Sequence, residues 1–232
     1  MTMTDENSED LTFPPPTHSI RNRKKGTGNY KRKPEYLTLM AIGFDNNEQM
    51  FWTRTYCTPV KTTIDEAGIQ AKELRLATFA ISHTRVEDPM PADVVEVARN
   101  VDHIDFDGPS YFTVVICWKD WGFVDDAATG QDPLRFWRKK TGTTVEYANS
   151  SFFDAEPKDV KTYEGDFKAV RCINHVKEDD GSDVPKGQRR RFGFDIYLTV
   201  PLSPLLELSK NAILPPRVVI IIDPTGDNKG PS

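Results

Sequence analysis

No stretch of this chain is long and apolar enough to cross a membrane. The longest uninterrupted aliphatic run is Val218 to Ile222, far short of the about 20 residues a spanning helix needs. An export signal is also missing, since the N-terminus reads Met-Thr-Met-Thr-Asp-Glu-Asn-Ser-Glu-Asp where a signal peptide carries a basic patch and an apolar core. Cysteine is scarce, with three in 232 residues, and Cys57, Cys117 and Cys172 lie far apart. An odd number excludes a complete intrachain disulfide framework, and no Cys or His pair has the spacing of zinc ligands. The expectation is a protein of the cytoplasm or another reducing compartment, without membrane insertion. Cys117 and Cys172 lie in apolar runs and are expected as buried, unpaired thiols.

Catalytic signatures are equally thin. The four histidines, His18, His83, His103 and His175, form no H-E-x-x-H pair, and sequence brings none of them to a nucleophile. No dinucleotide fingerprint or Walker motif occurs. Lys25-Gly-Thr-Gly follows a basic polar tract, whereas a phosphate loop follows a strand and opens a helix.

What is present divides the chain by charge. Residues 1–33 carry Asp5, Glu6, Glu9 and Asp10, then Phe13-Pro-Pro-Pro, then a basic block of Arg21, Arg23, Lys24, Lys25, Lys31, Arg32 and Lys33. Seven basic minus four acidic side chains give +3, and the remaining 23 basic against 31 acidic give −8, which sum to the net −5. With so little apolar content, the arm cannot offset the entropy of its own ordering. It is expected as a flexible, disordered N-terminal arm. A β-rich domain then covers 34–222, and a polar, flexible C-terminal tail covers 223–232.

Within the domain, 36–44 and 49–57 read as a hairpin around Asp45-Asn-Asn-Glu. Thr63-Ile-Asp-Glu66 has the capping-box pattern. Ile64, Ala67, Ala71 and Leu74 would then share one face of a short helix, followed by strand character from Leu74 to Ile81. Pro91 opens a second segment, whose Val94, Val97, Ala98 and Val101 suit a helix or a strand. Tyr111 to Trp118 is apolar on both faces apart from Thr113, as a central strand is. Phe192 to Val200 alternates strictly, which predicts one wet face. Segments 167–176 and 217–222 are its expected neighbours, with 177–191 as an exposed hairpin loop. Short strands with one or two short helices and no strand–helix repeat predict an all-β or β-rich fold, an antiparallel β-sandwich-like single domain.

The densest acidic grouping is Asp102-His103-Ile-Asp105-Phe-Asp107-Gly108. In an extended segment Asp105 and Asp107 point the same way with His103 beside them, and Asp120, Asp125, Asp126 and Asp132 follow the 111–118 strand. Asp105, Asp107 and Asp120 are therefore the candidate ligands for Ca²⁺ or another divalent ion, although no Glu closes the loop at the EF-hand spacing. Two further basic patches stand at Arg135-Phe-Trp-Arg-Lys-Lys140 and Arg189-Arg-Arg191. The first suits either base stacking or a core aromatic pair flanked by cations, and the second blunts an edge.

The expected function is that of a non-catalytic structural or interaction protein. It self-assembles as a homo-oligomer or binds a protein partner, and the basic arm contributes. Two other readings compete with it. One is a metal-dependent hydrolase using the acidic loops at 102–107 and 120–132. The other is a nucleic-acid-binding protein using the arm, whose contacts would be sensitive to salt.

Overall fold

A computed structural model describes residues 33–45, 50–82, 90–99, 103–118, 121–124, 133–141, 144–147, 153–154, 161–162, 168–176, 182–201 and 217–230. Six of the seven basic arm residues, Arg21 to Arg32, lie outside these residues, as do Asp120, Asp125, Asp126, Asp132 and His83.

Two curled sheets pack face to face. The first contains β1 (Tyr36–Asp45), β2 (Met50–Pro59), β3 (Val95–Arg99), β5 (Ser110–Ile116), β10 (Lys161–Thr162) and β11 (Lys168–Asn174) in the order β10-β11-β5-β1-β2-β3, with β9 (Phe153–Asp154) also on β11. The second runs β4 (His103–Phe106), β14 (Thr225–Lys229), β12 (Arg189–Pro201), β7 (Leu134–Thr141) and β8 (Thr144–Tyr147), with β13 (Arg217–Ile222) and β6 (Gly122–Phe123) also on β12. The fold is the expected β-rich single domain. Most pairings are antiparallel, but β1 with β5 and β4 with β14 run parallel.

The side-chain periods explain this layering. Met40 and Ile42 of β1, Phe112, Val114 and Ile116 of β5, and Phe192, Phe194, Ile196, Leu198 and Val200 of β12 all enter the core between the sheets. The opposite side chains of β1, Leu37, Leu39 and Ala41, form a second core with Leu76, Ala77 and Ala80 of the helix α1 (Glu66–Ser82). The first sheet is thus covered on both faces, which is why β1 and β5 are largely apolar on both sides. Cys117 and Cys172 are buried and outside any disulfide, as expected, and burial pushes the Cys117 thiol up to about 12.

Four details depart from the sequence reading, and one alternative it left open is decided. Asp65, not Thr63, caps the helix: its Oδ1 accepts the Gly68 N–H at 2.8 Å, and the Glu66 carboxylate instead accepts from Gln70 and Arg171. The helix continues through the segment read as a strand, and its buried face is Ile69, Glu73, Leu76, Ala77 and Ala80, whereas Ala67 and Ala71 are exposed. The segment after Pro91, open between helix and strand, contains the strand β3 at Val95–Arg99. Segment 177–191 joins no hairpin, because β11 lies in the first sheet and β12 in the second. The chain leaves β11 through Val176 in a left-handed conformation (φ 54°), with its N–H given to Asn174 Oδ1 at 2.9 Å. Finally, the C-terminal segment read as a tail supplies β14, which pairs with β12 and β4.

The outer face of β12 is also drier than its alternation predicts. Asp195 and Tyr197 are buried, Asp195 accepting from Trp137 Nε1 at 3.0 Å and from the Tyr197 hydroxyl at 3.2 Å. The Arg135 guanidinium lies 5.7 Å from the centre of the Tyr197 ring. Gly193 stands opposite Trp137, and Gly43 opposite Trp52 in the other sheet. In both pairs the indole lies across the glycine so closely that a Cβ would overlap it. These are cross-strand pairs in which an aromatic ring covers the backbone that glycine leaves bare.

Candidate functional site

The residues with chemical potential gather on the outer face of the second sheet, where β4, β14 and β12 lie side by side. The period of two puts His103 and Asp105 on one face of β4, with Asp107 just beyond its end. Thr225, Asp227 and Lys229 line the same face of β14, held in register by the parallel pairs Thr225–His103 and Asp227–Asp105. On β12, Arg189 and Arg191 stand opposite Lys229 and Asp227.

His103 is fixed from both sides of its ring. Its Nδ1 lies 2.8 Å from Thr225 Oγ1, and its Nε2 lies 3.3 Å from Asp105 Oδ1 and 3.6 Å from Asp227 Oδ2. Lys229 Nζ bridges Asp105 at 2.8 Å and Asp107 at 3.1 Å. Arg191 Nε approaches Asp227 Oδ1 at 3.3 Å, and Arg189 lies 3.8 Å from Asp227 and 4.0 Å from Asp105. Partial burial pushes the Asp105 carboxyl up, but the Lys229 hydrogen bond and the charges of Lys229, Arg189 and His103 outweigh it, so its pKa falls below the ordinary value. The Lys229 ammonium is held above its usual range, chiefly by its hydrogen bond to Asp105.

Of the proposed metal ligands, Asp105 and Asp107 therefore meet, joined through Lys229, while Asp120 falls outside the described residues. One donor atom each from His103, Asp105 and Asp227 lies within 4.8 Å of the others. A divalent ion entering there would meet Arg189, Arg191 and Lys229 already neutralising the same carboxylates. Three fixed cations against three carboxylates make this, first, a self-compensated ion-pair ladder. The Arg189-to-Arg191 triplet, read as an edge guard, lies inside the sheet and supplies two of those cations. Sequence reasoning missed Asp227 and Lys229 because they sit in the supposed tail. The signal available was the alternation Thr225, Asp227, Lys229.

A second cluster lies under the helix on the opposite side of the sandwich. Glu73 of α1 is fully buried, and its carboxylate accepts from Thr113 Oγ1 at 2.6 Å and from Arg171 Nε and Nη2 at 2.6 and 2.9 Å. Glu66 takes Arg171 from the rim at 2.8 and 3.0 Å. Burial lowers the Arg171 pKa, and the hydrogen bonds to Glu73 and Glu66 more than reverse that, so the net shift is upward. This cluster anchors the helix to β5 and β11.

Among the described residues, the exposed large apolar side chains are Phe51, Val95, Val97, Val219 and Ile221. Four of the five sit on β3 and β13, each of which pairs with one strand only among the described residues. Lys33 Nζ, the one arm cation within the described residues, lies 3.4 Å from the Thr62 carbonyl. Among the described residues no helix is long and apolar enough to cross a membrane. The described residues form a β-sandwich with one helix on an outer face. No family model, no curated protein and no solved structure matches the chain.

Proposed function

We propose that this is a non-catalytic structural or interaction protein that self-assembles through its sheet edges, with the basic N-terminal arm contributing. The observation that carries this reading is the bare apolar edge: Val219 and Ile221 on β13 are 39 % and 47 % exposed, and Val95 and Val97 on β3 are 61 % and 39 % exposed. Open strand edges with apolar side chains are templates for pairing with another chain. Charge supports the arm's part, since the basic block at 21–33 is opposite in sign to the excess of eight acidic groups in the rest of the chain. Contacts of that kind weaken with salt, being screened beyond about 8 Å at physiological ionic strength.

The test is the mass of the particle in solution at low and high salt, with and without residues 1–33. The reading expects deletion to leave cooperative melting intact while lowering the mass at low salt. An unchanged mass would remove the arm from the assembly. Polyanion binding that vanished with the deletion would favour the nucleic-acid reading instead. The hydrolase reading draws on the His103, Asp105 and Asp227 donors. A Ca²⁺- or Mn²⁺-dependent rise in melting temperature, abolished by Asp227→Asn, would support it.

A further inference from the structure

The described sheet edges differ in how they are guarded against another strand. Strand β10 has two residues, β9 two, and β4 and β8 four each. Strand β4 also carries the charged ladder, and the β7–β8 register is broken between Trp137 and Lys139. Strand β3 carries Glu96 between its valines, and its pairing with β2 is shifted between Thr55 and Tyr56. Short length, charge and bulges are the ordinary devices that stop edge-to-edge pairing. Strand β13 is the longest of these edges and the least guarded: six residues, regular pairing to β12 throughout, a single charge at its first residue Arg217, and no charge, proline or glycine from Val218 to Ile222.

Its sequence is also complementary to itself. Arg217-Val-Val-Ile-Ile-Ile-Asp223 begins with a cation and ends with an anion around an apolar centre. A parallel copy would set Arg217 against Arg217 and Asp223 against Asp223. An antiparallel copy centred on Ile220 sets Arg217 against Asp223 twice, Val219 against Ile221 twice, and Val218 against Ile222 twice. These pairs keep parity, so each falls on one face of a continuous sheet. Val219 and Ile221, exposed in the single chain, would cover one another on the outer face. Ile220 and Ile222, already packed against the sandwich core, would extend it across the two-fold axis. Residues 1–33 contain no comparable run of β-branched side chains, which argues against the arm as the strand that fills this edge.

We infer that β13 is an isologous dimer edge, pairing antiparallel about Ile220 with β13 of a second copy. The inference rests on the self-assembly reading and names the surface it uses. It makes a demand that a generic apolar contact does not. Arg217→Asp would place like charges opposite one another at both ends of the interface, and so would Asp223→Arg. Mixed together, the two variants would restore an opposite-charge pair at each end.

The experiment is sedimentation velocity on the full chain, comparing wild type, Arg217→Asp, Asp223→Arg, their equimolar mixture and Ile221→Lys. The expected result is a wild-type dimer, at least about tenfold weaker association for each single charge variant, since facing like charges cost several kcal/mol, and recovery in the mixture. Ile221→Lys should also dissociate the dimer and show no recovery with either charge variant. A wild type that associates while all three variants match it would overturn the β13 pairing and leave the broader assembly reading standing. Single variants that dissociate without recovery on mixing would overturn the Ile220-centred register. A wild type monomeric at every concentration would defeat both the pairing and the self-assembly reading.

Discussion

The two charged clusters, one on each outer face of the sandwich, use the same chemistry to different ends. Under the helix, Arg171 meets Glu73 with side chains 14 % and 0 % exposed. On the ladder, Arg189 and Arg191 meet Asp227 with guanidinium side chains 61 % and 74 % exposed. Water competes for the guanidinium groups of the second set, although Asp227 itself is only 5 % exposed, and hardly reaches the first. Removing one partner from a buried pair strands a charge in a medium that cannot solvate it. Removing one partner from an exposed pair leaves a charge that water takes up. The helix-side cluster therefore holds the fold together, while the ladder mainly keeps β4, β14 and β12 from presenting uncompensated charge.

That contrast is open to breaking. Glu73→Gln should be the costliest change, at about 3–5 kcal/mol, because it leaves Arg171 without its buried counter-charge. Equilibrium urea denaturation would measure it, and the paired replacement Glu73→Leu with Arg171→Met should recover much of the loss. A cost under about 1 kcal/mol would mean that solvent reaches the pair and the contrast fails. Next comes Gly193→Ala, where the new methyl must displace the Trp137 indole. Overpacking of this kind costs about 1–3 kcal/mol, and a loss of tryptophan fluorescence structure in the native state would accompany it. Lys229→Met on the ladder should be smaller, within about 1 kcal/mol.

A pH series sharpens the same comparison. Because the folded Asp105 pKa lies below its unfolded value, its ionised form contributes stability above about pH 3.9. That contribution is lost as the pH falls through the unfolded and then the folded pKa. The stability difference between wild type and Asp105→Asn should accordingly shrink as the pH drops below about 4. A difference that stayed constant down to pH 2 would show that Asp105 acts by shape alone.

The elements legible from local pattern were those whose partners are generic. The strict alternation at 192–200 and the apolar run at 111–118 needed only a hydrophobic surface on the other side, and both are strands of the core. The helix was half legible. Its buried face contains Glu73, and a carboxylate in an apolar stripe reads as an interruption unless its partner is known. That partner, Arg171, lies 98 residues further along the chain. The ladder failed to show for a related reason. Thr225-Gly-Asp-Asn-Lys has the composition of a tail, and it becomes a strand because β12 offers a backbone edge and β4 and β12 offer the counter-charges. His103, Asp105 and Asp107 could be grouped from their own spacing, whereas Asp227 required the parallel pairing of two strands more than a hundred residues apart.

The self-assembly claim meets its most direct test in the solution mass of the full chain across a concentration series at low salt. The account predicts a mass that rises from the single-chain 26.3 kDa toward twice that value, and that falls back toward it with Ile221→Lys. A mass of one chain at every concentration would contradict it.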